Sequence, residues 1–163
     1  MTDRYGVIGY PISHSKSPVI HRLFADQTGQ DMDYRAYEIP PDTLKEGVQE
    51  LVAGGILGLN VTVPHKSAVA SVCNRLSARA AVAGAVNTLV VAADGSIEGD
   101  NTDGVGLVTD LRQNLKVRLS GTRILVLGAG GATRGVVPAL AEAGPRSILI
   151  VNHAYPQIRE VAS

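Results

Sequence analysis

The chain has one cysteine, Cys73, no tryptophan, and Phe24 as its single phenylalanine. One cysteine excludes an internal disulfide and fits a reducing, cytoplasmic setting. Aromatic residues make up only 4% of the chain, so the core must be built from Val, Leu, Ile and Ala. Charge of either sign is not in excess: 15 Lys and Arg balance 15 Asp and Glu. No broad field therefore draws in nucleic acid or an anionic membrane, and any anion must be bound locally. No apolar run approaches the ~20 residues of a membrane span. The opening Met1-Thr-Asp-Arg-Tyr-Gly6 is polar and lacks the basic-then-apolar pattern of a signal peptide. No metal site is assigned.

What is present is an ordinary globular composition, with 45% hydrophobic and 18% charged residues in 163. That length suits one medium domain or two small ones. Short apolar runs alternate with longer amphipathic ones. Strands are expected over residues 5–9, 34–39, 57–63 and 88–92, the last closed by the turn Asp94-Gly95. Helices are expected over 17–28, with Val19, Ile20, Leu23 and Phe24 on one face, and over 43–53, 76–83 and 104–114. A further helix begins at Pro64, with that proline in its first turn. Residues 118–122 are polar and contain Gly121, which suggests a boundary. Beyond it come a strand at 123–127, a helix at 131–143 and a strand at 147–151. Strand-helix-strand order implies parallel pairing and an α/β architecture. The expected division is 1–117 and 118–163.

Polar residues interrupt the apolar runs at particular places. Asn60-Val-Thr-Val-Pro-His-Lys66, Ala83-Gly-Ala-Val-Asn87 and Gly99-Asp-Asn-Thr-Asp103 supply Thr62, Lys66, Asn87 and Asp103. A hydroxyl, an ammonium, an amide and a carboxylate can hold a polyhydroxylated small molecule and move one proton. A carboxylate beside a lysine keeps the ammonium positioned. Each residue has a plainer role open to it: a surface lysine, a cap by Asp103 for the next helix, loop contacts for Thr62 and Asn87. All four, however, fall where a strand or helix meets a loop. Ser13-His-Ser-Lys-Ser-Pro18 follows the first strand. Ser17 before Pro18 reads as a hydroxyl N-cap. Ser15, Ser17 and the free N–H groups of that helix suit a carboxylate or phosphate.

Downstream, Gly128-Ala129-Gly130-Gly131-Ala132 joins an expected strand to an expected helix, the setting of a dinucleotide-binding turn. Gly128 permits the tight turn, and Gly130 lets backbone approach pyrophosphate. The third glycine of the usual pattern is replaced by Thr133. The second strand ends at Asn152 with no acid for a ribose 2′-hydroxyl, which argues against NAD and for NADP.

These motifs, with Gly9-Tyr-Pro-Ile-Ser-His-Ser-Lys-Ser-Pro18, resemble the shikimate dehydrogenase family in family order across residues 5–152. The resemblance implies an N-terminal α/β substrate domain with a mostly parallel sheet, followed by a Rossmann-type NADP-binding domain. It implies reversible, NADP-dependent reduction of 3-dehydroshikimate to shikimate, in aromatic amino acid biosynthesis. Ser15 and Ser17 would hold the substrate carboxylate. Thr62, Asn87 and Asp103 would hold ring hydroxyls, and Lys66, paired with Asp103, would transfer the proton. Gly128, Ala129, Gly130, Gly131, Ala132 and Asn152 would bind the cofactor.

The sequence departs from the family at His153, where an arginine usually clamps the 2′-phosphate, and at Ala78, where many relatives carry an acid. Family members also continue well past Ser163, so the resemblance implies an incomplete Rossmann half, and Pro156 breaks the expected next helix. The corresponding expectations are poor turnover and an unpaired sheet edge that invites a homodimer. A non-catalytic shikimate-binding remnant and a quinate-accepting relative are the alternatives.

Overall fold

The computed structural model describes residues 2–152; His153, Ala154 and Pro156 lie outside the described residues. The described residues form two sheets. The first contains β1 (Asp3–Gly9), β2 (Met32–Glu38), β3 (Gly58–Val61), β4 (Arg75–Leu76), β5 (Thr88–Val91) and β6 (Ile97–Asp100), in the spatial order β2-β1-β3-β5-β6-β4. Its pairings are parallel except β3 with β5 and β5 with β6. Only β5 therefore runs against the other five strands. The β5–β6 hairpin turns at Asp94 and Gly95, where Gly95 has φ +80° and Asp94 Oδ1 accepts from the Ser96 N–H.

Two helices make the first crossovers, α1 (Ser17–Thr28) between β1 and β2, and α2 (Leu44–Ala53) between β2 and β3. Because β2 and β3 lie on opposite sides of β1, the strand order reverses there. Parallel sheets bind ligands outside the carboxyl ends of the strands at such a point.

The core is aliphatic, as the lack of aromatics requires. Ile8, Val48, Ile56, Val69, Val86 and Leu89 are buried together with Leu44, Leu59 and Ala80. Helix α2 contributes Leu44 and Val48 from one face. In contrast, α1 buries only Ala25, and Val19, Ile20, Leu23 and Phe24 remain about half exposed. Its firmest anchor is polar: His21 stacks on Tyr34 with ring centroids 3.9 Å apart, and Tyr34 donates to Asn60 Oδ1 at 2.7 Å. Burial pushes the Tyr34 hydroxyl well above the usual phenol range.

Two expected elements differ. Residues 64–67 form turns, and only a short 3₁₀ helix, Ala68–Val72, follows. The Lys66 carbonyl accepts from the Val86 N–H at 2.7 Å, so it is withdrawn from a helical ladder. Lys66 thus sits in a turn and not early in a helix. The 76–83 helix shrinks to α3 (Ala78–Ala83), capped by Ser77 Oγ, because Arg75 and Leu76 pair with β6.

After α4 (Asp103–Thr109) and a π-helical turn at Asp110–Asn114, the second sheet begins. It pairs β7 (Arg123–Leu127) with β8 (Ser147–Val151) in parallel through α5 (Gly131–Glu142). Leu119, Leu140 and Ala143 form its small core, with Ile124 and Ile148 against them. Strand alternation turns Leu125, Leu127, Leu149 and Val151 to the opposite face, where all four are exposed. Helix α5 also packs on α4 and α3, which joins the two halves. Among the described residues, no helix is long and apolar enough to cross a membrane.

Candidate functional site

The topology collects the polar motifs at one end of the first sheet. The serine loop leaves β1, the Thr62-to-Lys66 turn leaves β3, and Asp103 follows β6. Because β5 is reversed, Asn87 arrives at that same end just before its strand begins. Four adjacent strands, β1, β3, β5 and β6, therefore present all six substrate-site candidates at one rim.

At the centre, Lys66 Nζ donates to Asp103 Oδ2 at 2.6 Å, with the side chains 16% and 23% exposed. Asn87 Nδ2 donates to the other Asp103 oxygen at 2.7 Å. Both carboxylate oxygens are thus engaged, one by charge and one by an amide. Asn87 is itself fixed: its Oδ1 accepts from the Thr102 N–H at 3.0 Å and from Thr88 Oγ1 at 2.8 Å. Its plainer loop role and its contact with Asp103 coexist. Asp103 is the first residue of α4 and makes no capping bond; its carboxylate serves Lys66 and Asn87 instead.

The turn carrying Lys66 is anchored by its neighbour. His65 is 1% exposed, and its Nε2 meets the Ile39 carbonyl at 2.8 Å. The His65 N–H donates to the Thr62 carbonyl, and its own carbonyl accepts from Val69. Thr62 lies on this turn beside Gly9, and its hydroxyl makes no hydrogen bond within the described residues.

Ser15 and Ser17 are held apart from this cluster, at the start of α1. The N-cap is Lys16, not Ser17, and no side chain of the cap position closes it. Ser17 is the first helical residue, and its N–H donates to Ser15 Oγ at 3.3 Å. Ser15 thus takes the capping role expected of Ser17. Both remain at the rim because the Tyr10 N–H donates to the Val63 carbonyl, tying the β1 and β3 loops together.

The glycine turn lies at the C-terminal end of β7. Gly128 has φ +106°, and its N–H donates to the Val151 carbonyl at 2.7 Å, which brings Asn152 to the same end. Thr133, at the position of the missing third glycine, donates from Oγ1 to the Gly128 carbonyl at 2.9 Å and closes the loop. A Cβ on Gly128 or Gly130 would meet nothing within 4 Å. Open space over exposed backbone at the start of a 12-residue helix fits a pyrophosphate. Ala129 is buried, whereas Ala132 is exposed beside the turn. At Gly131 a Cβ would lie 3.2 Å from Lys66 Cβ, so the glycine turn abuts the lysine of the first sheet.

The family model described as "Shikimate dehydrogenase substrate binding domain" matches residues 7–89. The chain belongs to the shikimate dehydrogenase family. The shikimate dehydrogenase (NADP(+)) of Thioalkalivibrio sulfidiphilus is 52% identical over 160 residues, 98% of this chain and 59% of that relative. Among solved structures, shikimate dehydrogenase from Aquifex aeolicus is 35% identical with TM-score 0.91, covering 99% of this chain and 59% of that one. The Thermus thermophilus enzyme in complex with NADP(H) and shikimate is 34% identical with TM-score 0.89, covering 99% and 60%. The chain therefore spans about three fifths of the length of these shikimate dehydrogenases.

Within the family's Gly99-Asp-Asn-Thr-Asp103 run, Asp103 is not the only residue that serves the site. Thr102 Oγ1 also accepts from Asn87 Nδ2 at 3.0 Å, and Asn101 is 2% exposed. Asp100 pairs with Arg79 through both carboxylate oxygens and accepts from Ser77 Oγ at 2.5 Å. The Arg79 guanidinium, helped by Ser77, holds the Asp100 carboxyl well below the usual carboxylate range. The signal available was the polar run itself, which closes the short strand β6 and opens α4.

Proposed function

We propose that the chain binds shikimate and 3-dehydroshikimate at the Lys66 rim and interconverts them with NADP. One observation carries the reading: Gly131 of the nucleotide turn lies against Lys66, so the proton-transfer group adjoins the expected cofactor position. The similarity to NADP-dependent shikimate dehydrogenases supports it.

In this reading Ser15 and Ser17 hold the substrate carboxylate, and Thr62, Asn87 and Asp103 hold ring hydroxyls. Gly128, Ala129, Gly130, Gly131, Ala132 and Asn152 would hold the cofactor, which as NADPH supplies a hydride to the ketone carbon and as NADP(+) takes one back in the reverse direction. Reduction of a ketone needs a proton at the oxygen as well as a hydride at carbon. Lys66 gives that proton from Nζ and takes it back in the reverse direction; such general acid–base help is worth about 10²–10⁴-fold. Asp103 keeps Nζ aimed, and Asn87 keeps Asp103 from rotating. Residues 1–117 form the substrate half and 118–163 the nucleotide half. Within the described residues β7 and β8 each leave one edge unpaired, which supports pairing of two copies, and the lone thiol supports a cytoplasmic setting.

Titration calorimetry of the 163-residue chain with shikimate, then with NADP, tests the reading. Shikimate binding that weakens in Lys66→Ala and Asp103→Asn is expected. Unchanged binding in both variants, or none in a folded wild-type chain, would remove the assignment. Sedimentation analysis checks the dimer.

A further inference from the structure

Asn101 has no part in the proton transfer, yet among the buried polar side chains of the described residues only His65 is less exposed. We infer that Asn101 and Gly135 form a strut through which helix α5 of the nucleotide half holds Asp103 against Lys66. This rests on the reading of Lys66 and Asp103 as the proton-transfer pair.

The geometry is closed on every side. Asn101 Nδ2 donates to the Ala85 carbonyl at 2.9 Å, and Oδ1 accepts from the Asp103 N–H at 3.0 Å. The amide thus ties the start of α4 to the loop before β5. Gly135 lies against it: a Cβ there would sit 2.9 Å from both Asn101 Nδ2 and Oδ1, and 3.0 Å from Asp103 Oδ2. That last atom is the oxygen that accepts from Lys66. Gly104 faces the same spot from α4, where a Cβ would lie 2.6 Å from the Gly135 carbonyl. The two helices therefore meet backbone to backbone beside the pair.

A helix-interior glycine costs about 0.5–1 kcal/mol against alanine. Gly135 is in helix α5 and does not need a left-handed backbone. What it permits is the close approach. With an added methyl, something must shift. Asn101 is buried and bonded at both ends, whereas the Asp103 side chain still has 23% of its surface exposed. Asp103 is the group with room to turn, and turning breaks its bond to Lys66. Gly135 and Asn101 are accordingly positioning residues.

The test compares Gly135→Ala with Gly106→Ala in the whole chain. Gly106 makes the same chemical change on α4, where an added Cβ meets open space. Each protein is treated with a limiting dose of an amine-acylating reagent, and Lys66 is compared by peptide mass spectrometry with exposed Lys45 and Lys116. Lys45 and Lys116, already exposed, normalise the reagent dose, while a cooperative melt and the Gly106→Ala control separate loss of the charge-assisted partner from general loosening. Gly135→Ala should raise Lys66 acylation several-fold over the two reference lysines, with a cooperative melt retained. Its shikimate Kd should rise by about tenfold, the loss of roughly one charge-assisted bond. Gly106→Ala should change neither. Wild-type Lys66 acylation in folded Gly135→Ala overturns the strut. If Gly135→Ala does not fold, Asn101→Ser answers the question: it shortens the strut without touching α5, and unchanged Lys66 acylation there is equally decisive. If the wild-type chain binds no shikimate, the proposed function fails, while the acylation comparison still judges the strut.

Discussion

The six-stranded sheet buries Ile8, Val48 and Val86 completely, whereas the two-stranded sheet leaves Leu125, Leu127, Leu149 and Val151 open. The polar groups differ in parallel. At the rim of the first sheet, side chains carry the polarity: Lys66 and Asn87 are both bonded to Asp103 over an aliphatic core. At the end of β7 the main chain carries it, through Gly128, Gly130 and the space above them. A small polyhydroxylated ligand must be read by many fixed side-chain groups. A pyrophosphate can be held by backbone N–H groups alone. The first region should therefore break on side-chain changes, and the second on backbone changes.

The largest expected contrast is in stability. Ile8→Ala, at a position with no exposed surface, should cost about 2–5 kcal/mol. Leu127→Ala, at a position 78% exposed, should stay within about 0.5 kcal/mol. Urea unfolding of both variants checks this, and equal losses would mean that the outer face of β7 is covered. Next comes ligand discrimination. Asp103→Asn should weaken shikimate binding by about ten- to a hundredfold, since it removes one partner of a partly buried charge pair. NADP binding should hardly change. Gly128→Ala should do the reverse, because φ +106° strains any side-chain-bearing residue by about 1–3 kcal/mol. Calorimetry with each ligand separates the two, and a variant that weakens both equally would erase the contrast.

The smallest effect concerns pH. Arg79 depresses the folded-state Asp100 carboxyl below its unfolded value of about 3.9. A depressed acid contributes stability that is complete above the unfolded value and is lost as pH falls through the folded one. Stability should thus decline below about pH 4, and Arg79→Ala should make that decline shallower. Arg79 is half exposed, so the effect is modest. Urea midpoints across the acid range measure it, and identical slopes in the two proteins would exclude the pair as the source.

Much of this was legible in the chain itself. The helix 17–28 and the strands 123–127 and 147–151 have the bounds expected from periodicity and turn residues. Lys66, Asn87 and Asp103 stood out because polar groups ended apolar runs, and they do meet. What periodicity could not carry was any choice made by distant hydrogen bonds. The Lys66 carbonyl is taken by Val86, so the helix expected after Pro64 gives way to turns. Strands β4 and β6 are too short and too polar to show an alternation. The reversal of β5 depends on a hairpin whose partner strand was invisible. Ser17 has the composition of a cap, yet Ser15 takes that place, because the choice lies in loop conformation.

Without tryptophan, the chain's intrinsic ultraviolet emission comes almost entirely from its five tyrosines. Tyr34 is distinctive among the described ones, with its ring stacked on His21 and its hydroxyl tied to Asn60, on the strand that leads to Thr62. A ligand settling on the serine loop would disturb that stack, so the protein carries its own optical reporter next to the proposed carboxylate site. Nicotinamide fluorescence could be followed in the same cuvette with no indole background.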